Sequence, residues 1–299
     1  MPKRVLLAVN DRARRGREMR DRAASALRAL GHVVTEISTG RPGDLSRAIV
    51  EHRNDVDVVL VGGGDGTLLW SIEGLIETKL PLAILPLGTY NELARTLGVP
   101  FDPKGVAALI DQGVPLPIDV GCVNGVPYFN EASVGLSTRV ARYQTSEIKK
   151  KLGLLVVPVT TFRALQWMRP LHLEIEADDG SRRIVRAVQV TVANNYRFGG
   201  FVENPQGSLE DGHLWLYSID VRGWLHTLGI LLAVVLRRFP HAPDVVAVRG
   251  KRFVLRSIHG HAHRILADSE EVAHLPAEFT VLPAAVTVLV PQQRLPQIR

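Results

Sequence analysis

The spacing of apolar and polar positions changes character once along the chain. Up to about residue 118, short β-branched runs alternate with segments of helical period. "RVLLAVN" (4–10), "HVVTEIST" (32–39), "VDVVLVGG" (56–63) and "PLAILPLG" (81–88) read as strands. Residues 17–30, "GDLSRAIVEHR" (43–53), "GTLLWSIEGLIE" (66–77), "YNELARTLG" (90–98) and "PKGVAALIDQG" (103–113) read as helices. Strands that recur with helices between them predict a parallel sheet covered on both faces, a Rossmann-like α/β domain.

After "GVPLPIDVG" (113–121) the period shortens to two. "PIDVGCVNGVPYFNEASVG" carries a hairpin signal at Asn124-Gly125, and "LHLEIEADDGSRRIVRAVQVTVAN" a turn at Asp179-Gly180. "HLWLYSIDV", "RFVLRSI" and "HAHRILAD" continue the alternation. Helical patterning is confined to about 146–169 and 222–238. This predicts a second, mostly antiparallel domain, a β-sandwich or distorted barrel, over 119–284, with about 285–299 returning to the first domain (1–118). No long linker separates the two, so the expectation is a close pair with a cleft between them.

Composition narrows the function classes. The 299 residues with 46% hydrophobic content can fill a core in each domain. Cys122 is the single cysteine, which excludes an internal disulfide framework and fits a reducing, cytoplasmic setting. "MPKRVLLAVNDRARRGR" lacks the long apolar region of a signal peptide. The apolar run Leu228–Leu236 is too short to cross a bilayer. Lys149, Lys150 and Lys151 precede a second apolar run that could rest on an anionic membrane surface or pack internally. Thirty-six basic against 30 acidic residues give a net charge of +6, which suits phosphates or anionic headgroups. The densest basic cluster, "RARRGREMRDR" (12–22), runs into an amphipathic helix without interleaved aromatics, so no nucleic acid is expected as partner.

The chemistry gathers at "GGDGT" (63–67), directly after the third predicted strand. Ligands of α/β sheets bind beyond the carboxyl ends of strands, and glycines let backbone N–H groups approach an anion. The spacing is neither that of a P-loop nor of a dinucleotide fold. Asp65 would repel a phosphate by itself. It makes sense as a metal ligand or as acceptor of a hydroxyl proton, or else as a helix cap.

"GGDGT" is shared by diacylglycerol, sphingosine, ceramide and NAD kinases and more loosely by phosphofructokinases. The other segments narrow the resemblance. "LAILPLGTYNELARTLGVP" (82–100), "IDVGCVNGVPYFNEASVGL" (118–136), "NNYRFGGFVENPQGSLEDGHLWL" (194–216) and "ADSEE" (267–271) resemble, in order, the motifs of bacterial diacylglycerol kinase-like lipid kinases. That resemblance implies ATP and Mg²⁺ as cofactors and a lipid acceptor at the membrane surface, with a homodimer left open. It implies nucleotide contacts from Thr39, Gly63, Gly64, Asp65, Gly66, Thr67, Thr89 and Asn91, and a magnesium site in the second domain at Ser208, Asp211 and His213, largely through backbone carbonyls. Glu270 matches the family's proton acceptor, with Asp65 acting through a water as the other choice; both would face the cleft. Three departures stand out: Leu69 and Trp70 replace a polar pair, Ser269 replaces a glycine, and Asn10-Asp11-Arg12 departs from the N-terminal motif. An NAD kinase or a catalytically silent binding protein are the alternatives.

Overall fold

The computed structural model describes residues 1–9, 16–38, 41, 43–143, 170–199, 202–220 and 245–292. The chain forms two compact units: Met1–Val120 with Ser208–Gly212 and Leu282–Arg299, and Gly121–Gly207 with His213–Val281.

The first unit runs β1 (Arg4–Val9), α1 (Gly16–Ala29), β2 (Val33–Ser38), α2 (Asp44–Glu51), β3 (Val58–Gly63), α3 (Asp65–Leu69), α4 (Ile72–Thr78), β4 (Leu82–Pro86), α5 (Glu92–Thr96), α6 (Pro103–Gln112) and the start of β5 (Val114–Val123). Its strands pair in the order β2-β1-β3-β4, all parallel. Every residue of β3 and β4 is buried, as expected of strands covered on both faces. Each buried Val, Leu or Ile there contributes about 1.5–3 kcal/mol. Helix α1 buries Ala23, Ala24 and Leu27. Helix α6 starts where Asp102 accepts from the Gly105 N–H at 2.8 Å, with Pro103 in the first turn.

One predicted helix is corrected. Residues 66–77 form two short helices rather than one, because Ser71 turns back: its N–H and hydroxyl both donate to the Leu68 carbonyl, at 2.9 and 2.6 Å. Ser46 bridges the break, donating to the Trp70 carbonyl (2.8 Å) and accepting from the Gly74 N–H (3.1 Å). Leu69 and Trp70 therefore sit at a helix end.

The second unit takes up the rest of β5, then β6 (Val126–Tyr128), β7 (Glu131–Gly135), α7 (Leu136–Tyr143), β8 (Leu171–Ala177), β9 (Arg182–Ala187), β10 (Gln189–Ala193), β11 (Arg197–Phe198), β12 (Val202–Glu203), β13 (Leu214–Ile219), β14 (Val245–Gly250), β15 (Arg252–Ser257), β16 (Arg264–Ala267), β17 (Glu270–His274) and the start of β18 (Ala277–Val290). A six-stranded antiparallel sheet has the order β14-β13-β10-β7-β16-β17. A second antiparallel group joins β9, β8, β15 and the start of β18. In β8 the apolar Leu171, Leu173, Ile175 and Ala177 are buried while His172, Glu174 and Glu176 face outward, the period-two pattern of a half-covered sheet. The Asn124-Gly125 hairpin forms with both residues left-handed, φ 48° and 87°. From Leu282 onward β18 belongs to the first unit, where Val288 pairs parallel with Leu82 of β4. Helix α7 lies upstream of the 146–169 pattern; that pattern, Lys149–Lys151 and the 222–238 pattern fall outside the described residues.

Candidate active site

The glycine loop forms at the end of β3, where Gly64 precedes α3 and Asp65 is its first residue. Asp65 is thus inside the helix, not its cap, and α3 begins one residue before the expected Gly66. Part of the glycine requirement is internal. A Cβ on Gly88 would lie 2.6 Å from the Gly64 Cα, and one on Gly63 would lie 2.4 Å from the Thr67 Cβ. The loop is packed against the backbone of the second motif, and the Leu87 N–H donates to the Gly63 carbonyl at 2.8 Å.

Asn91 explains how that second motif keeps its shape. It is left-handed (φ 49°) and buried, and its side chain both accepts from the Gly88 N–H and donates to the Gly88 carbonyl, each at 2.8 Å. The half-buried Asp65 accepts a long hydrogen bond from the Leu93 N–H at 3.4 Å, at the start of α5. Gly63, Gly64, Asp65, Gly66, Thr67 and Asn91 are brought together through this packing, and the exposed Thr89 lies between Gly88 and Asn91. Thr39 and Asn10-Asp11-Arg12 are outside the described residues.

Sequence reasoning passed over Asp119. This buried carboxylate on β5 accepts from the Gly212 N–H at 2.6 Å and the Ala284 N–H at 2.8 Å, while its own N–H donates to the Leu209 carbonyl at 2.6 Å. It ties the Ser208–Gly212 loop to the first unit, so Asp211 belongs to that unit and not to the second domain as expected. The signal was present in "IDVG": an aspartate in an otherwise apolar strand.

Magnesium prefers hard oxygen ligands. The Asp211 carboxylate and backbone carbonyls fit that chemistry, whereas the His213 ring does not: its Nδ1 lies 3.0 Å from the Arg249 guanidinium, a cation that would repel another. The Ser208 hydroxyl accepts from the Glu210 N–H at 3.1 Å. Among the described residues no group of three or more His, Cys, Asp or Glu side chains is arranged to hold a metal ion.

In the second unit, β16 and β17 are joined by a two-residue turn, Asp268-Ser269, after which Glu270 opens β17. Both turn residues are left-handed, φ 45° and 76°. Glycine is the residue suited to the second position, so the serine carries backbone strain. Glu270 is exposed at the strand end, yet the protein around its carboxyl raises its pKa above the usual value through desolvation. Cys122 is buried, and burial likewise raises its thiol.

Comparison with known proteins agrees with this organisation. Residues 4–123 match the diacylglycerol kinase catalytic domain, and residues 130–290 match the YegS C-terminal NAD kinase beta sandwich-like domain. The chain is 28% identical over 274 residues to a diacylglycerol kinase of Bacillus subtilis, covering 90% of this chain and 89% of that one. It is 32% identical over 234 residues to a probable lipid kinase YegS-like protein of Pseudomonas aeruginosa, covering 77% and 76%. A crystal structure of a putative diacylglycerol kinase from Bacillus anthracis superposes with a TM-score of 0.80 at 26% identity, covering 98% of this chain and 97% of the other.

Proposed function

The chain belongs to the lipid kinase family that joins a diacylglycerol kinase catalytic domain to a YegS-type β-sandwich domain, and from this we infer that it transfers the γ-phosphoryl group of ATP to a lipid hydroxyl. It is a kinase, and relatives named as lipid kinases do not favour the NAD kinase or silent-homologue alternatives. The observation that carries the reading is the glycine loop packed on Gly88 with Asp65 at its helical end. It is a rigid backbone surface able to cradle phosphate oxygens, with one carboxylate set into it.

In this reading the loop from Gly63 to Thr67 fixes the triphosphate through backbone N–H groups, with Thr39 and Thr89 as further nucleotide contacts. Asn91 acts by holding Gly88 against the loop. Glu270 accepts the proton of the attacking hydroxyl; its raised pKa makes it a better base than an ordinary glutamate. Magnesium would be held by the Asp211 carboxylate with carbonyls of Ser208 and His213, and supplies charge neutralisation when bound. The acceptor is a diacylglycerol-like lipid taken at the membrane surface; among the described residues no helix is long and apolar enough to cross a membrane.

The test is transfer of the terminal phosphate of radiolabelled ATP to fractionated lipid extracts and, in parallel, to NAD. Label in a lipid phosphate ester supports the reading. Label in NAD alone, or in no acceptor, contradicts it.

A further inference from the structure

The segment that precedes β7 is held by an unusual concentration of hydrogen bonds. Both Asp268 carboxylate oxygens face it: Oδ2 accepts from the Phe129 N–H at 2.8 Å, and Oδ1 accepts from the N–H groups of Asn130 (2.9 Å) and Glu131 (3.2 Å). The Asp268 N–H returns a bond to the Glu131 carbonyl at 3.0 Å. On the other side, the Asn194 and Asn195 N–H groups donate to the Asn130 carbonyl at 2.8 and 3.0 Å. The Asn194 and Asn195 amides add bonds to the Phe129 carbonyl and the Asn130 side chain, both at 2.8 Å. β7 lies inside the six-stranded sheet, so this segment is a fixed reference within the second unit.

We propose that Asp268 is a positioning residue: its carboxylate anchors the strained left-handed turn to the Phe129–Glu131 backbone and so fixes the direction in which Glu270 leaves it. The inference rests on the reading of Glu270 as proton acceptor. Two successive left-handed residues, one of them Ser269, cost free energy that a bare hairpin would relieve by rearranging. Four hydrogen bonds to a buried carboxylate and its own N–H hold them instead.

Glu131 makes the anchor sensitive to protons. Its carboxyl is desolvated and adjoins Asp268, which together raise it to about 8, while a Gly199 N–H works in the opposite direction. Among the described residues the buried Tyr128 hydroxyl also interacts with it, itself held well above its usual value by burial and by the Asp268 charge. Burial and the neighbouring Asp268 charge favour the protonated form of Glu131, while three N–H donors favour the carboxylate form of Asp268. As Glu131 ionises, a second negative charge appears beside the anchor and opposes it.

The experiment is a double-mutant cycle of Asp268→Asn and Glu270→Gln, read as kcat with the lipid acceptor alongside Kd for Mg-ATP. Asn is at home at the first position of this turn, so Asp268→Asn should fold. The expected result is a fall in kcat of about tenfold to a hundredfold for Asp268→Asn with unchanged nucleotide affinity, and no further loss when it is added to Glu270→Gln. Wild-type kcat should also decline above about pH 8 and that decline should vanish in Glu131→Gln. Independent, additive losses overturn the proposal. If Asp268→Asn is fully active while Glu270→Gln is not, the anchor fails and the Glu270 reading stands; if Glu270→Gln is fully active, that reading fails first. Should Asp268→Asn not fold, hydrogen exchange in the wild-type protein decides. Phe129, Asn130, Glu131 and Asp268 amides should open as one unit, and separate openings would refute the anchor.

Discussion

At the glycine loop the chain omits side chains where two backbones meet, whereas at the Asp268 turn it keeps a side chain in a conformation suited to none. Gly64 and Gly88 approach so closely that a methyl on Gly88 collides with the Gly64 main chain at 2.6 Å, and one on Gly64 would stand 3.0 Å from the Gly88 Cα, tighter than an ordinary contact. Ser269 has no such neighbour problem; its difficulty is its own φ of 76°, and the remedy lies next door in the Asp268 carboxylate. The first region is fixed by sterics and tolerates almost no substitution. The second is fixed by hydrogen bonds that offset strain, and it can be tuned.

The largest expected effect comes from Gly88→Ala. The added Cβ would stand 2.6 Å from the Gly64 Cα and 2.8 Å from the Asn91 Oδ1, so the loop and the Asn91 clasp must separate. Chemical denaturation should show a loss of about 3 kcal/mol, and calorimetry should show Mg-ATP binding abolished. An unchanged protein would mean that the close approach is not needed.

A smaller, pH-dependent effect should single out the second region. Glu131 has a folded-state pKa of about 8 against an ordinary 4.5, so the folded form binds its proton more tightly than the unfolded chain. The contribution is therefore complete below about pH 4.5 and is lost as pH rises through about 8, at up to about 1.4 kcal/mol per pH unit for one group. Urea denaturation across that range should show the slope in wild-type protein and a flatter profile in Glu131→Gln. Parallel profiles would place the proton elsewhere.

The smallest effect is a gain. Ser269→Gly should stabilise the protein by about 0.5–1 kcal/mol, because relief of the left-handed penalty exceeds the entropic cost of glycine. Thermal unfolding would rise by a few degrees, and a lowered midpoint would show that the serine side chain contributes more than its strain costs.

The same contrast explains what could be read in advance. Strands β1, β3 and β4 are continuous apolar runs because both faces are covered, and such runs are visible without any partner. "GGDGT" was legible because close backbone contact leaves glycines as its trace. The break after Trp70 was not, since the apolar spacing continues across it and only the Ser71 back-bond and the Ser46 bridge interrupt the helix. Asp119 and Asp268 stood in view in "IDVG" and "ADSEE", but their partners did not: each acts on backbone N–H groups far along the chain, at Ala284 and at Phe129–Glu131, which no local pattern records. The Ser269 departure was visible as a missing glycine, but its positive φ needed the structure.

The central claim is that the carboxylate set into the glycine loop serves phosphoryl transfer and not merely the helix it begins. The direct measurement is incorporation of label from ATP into lipid by wild-type protein and by Asp65→Asn, with thermal unfolding of both. The account predicts a fall in kcat of about a hundredfold or more at nearly unchanged Tm. Wild-type turnover by a folded Asp65→Asn protein would contradict it and leave Asp65 as a structural residue holding the start of α5.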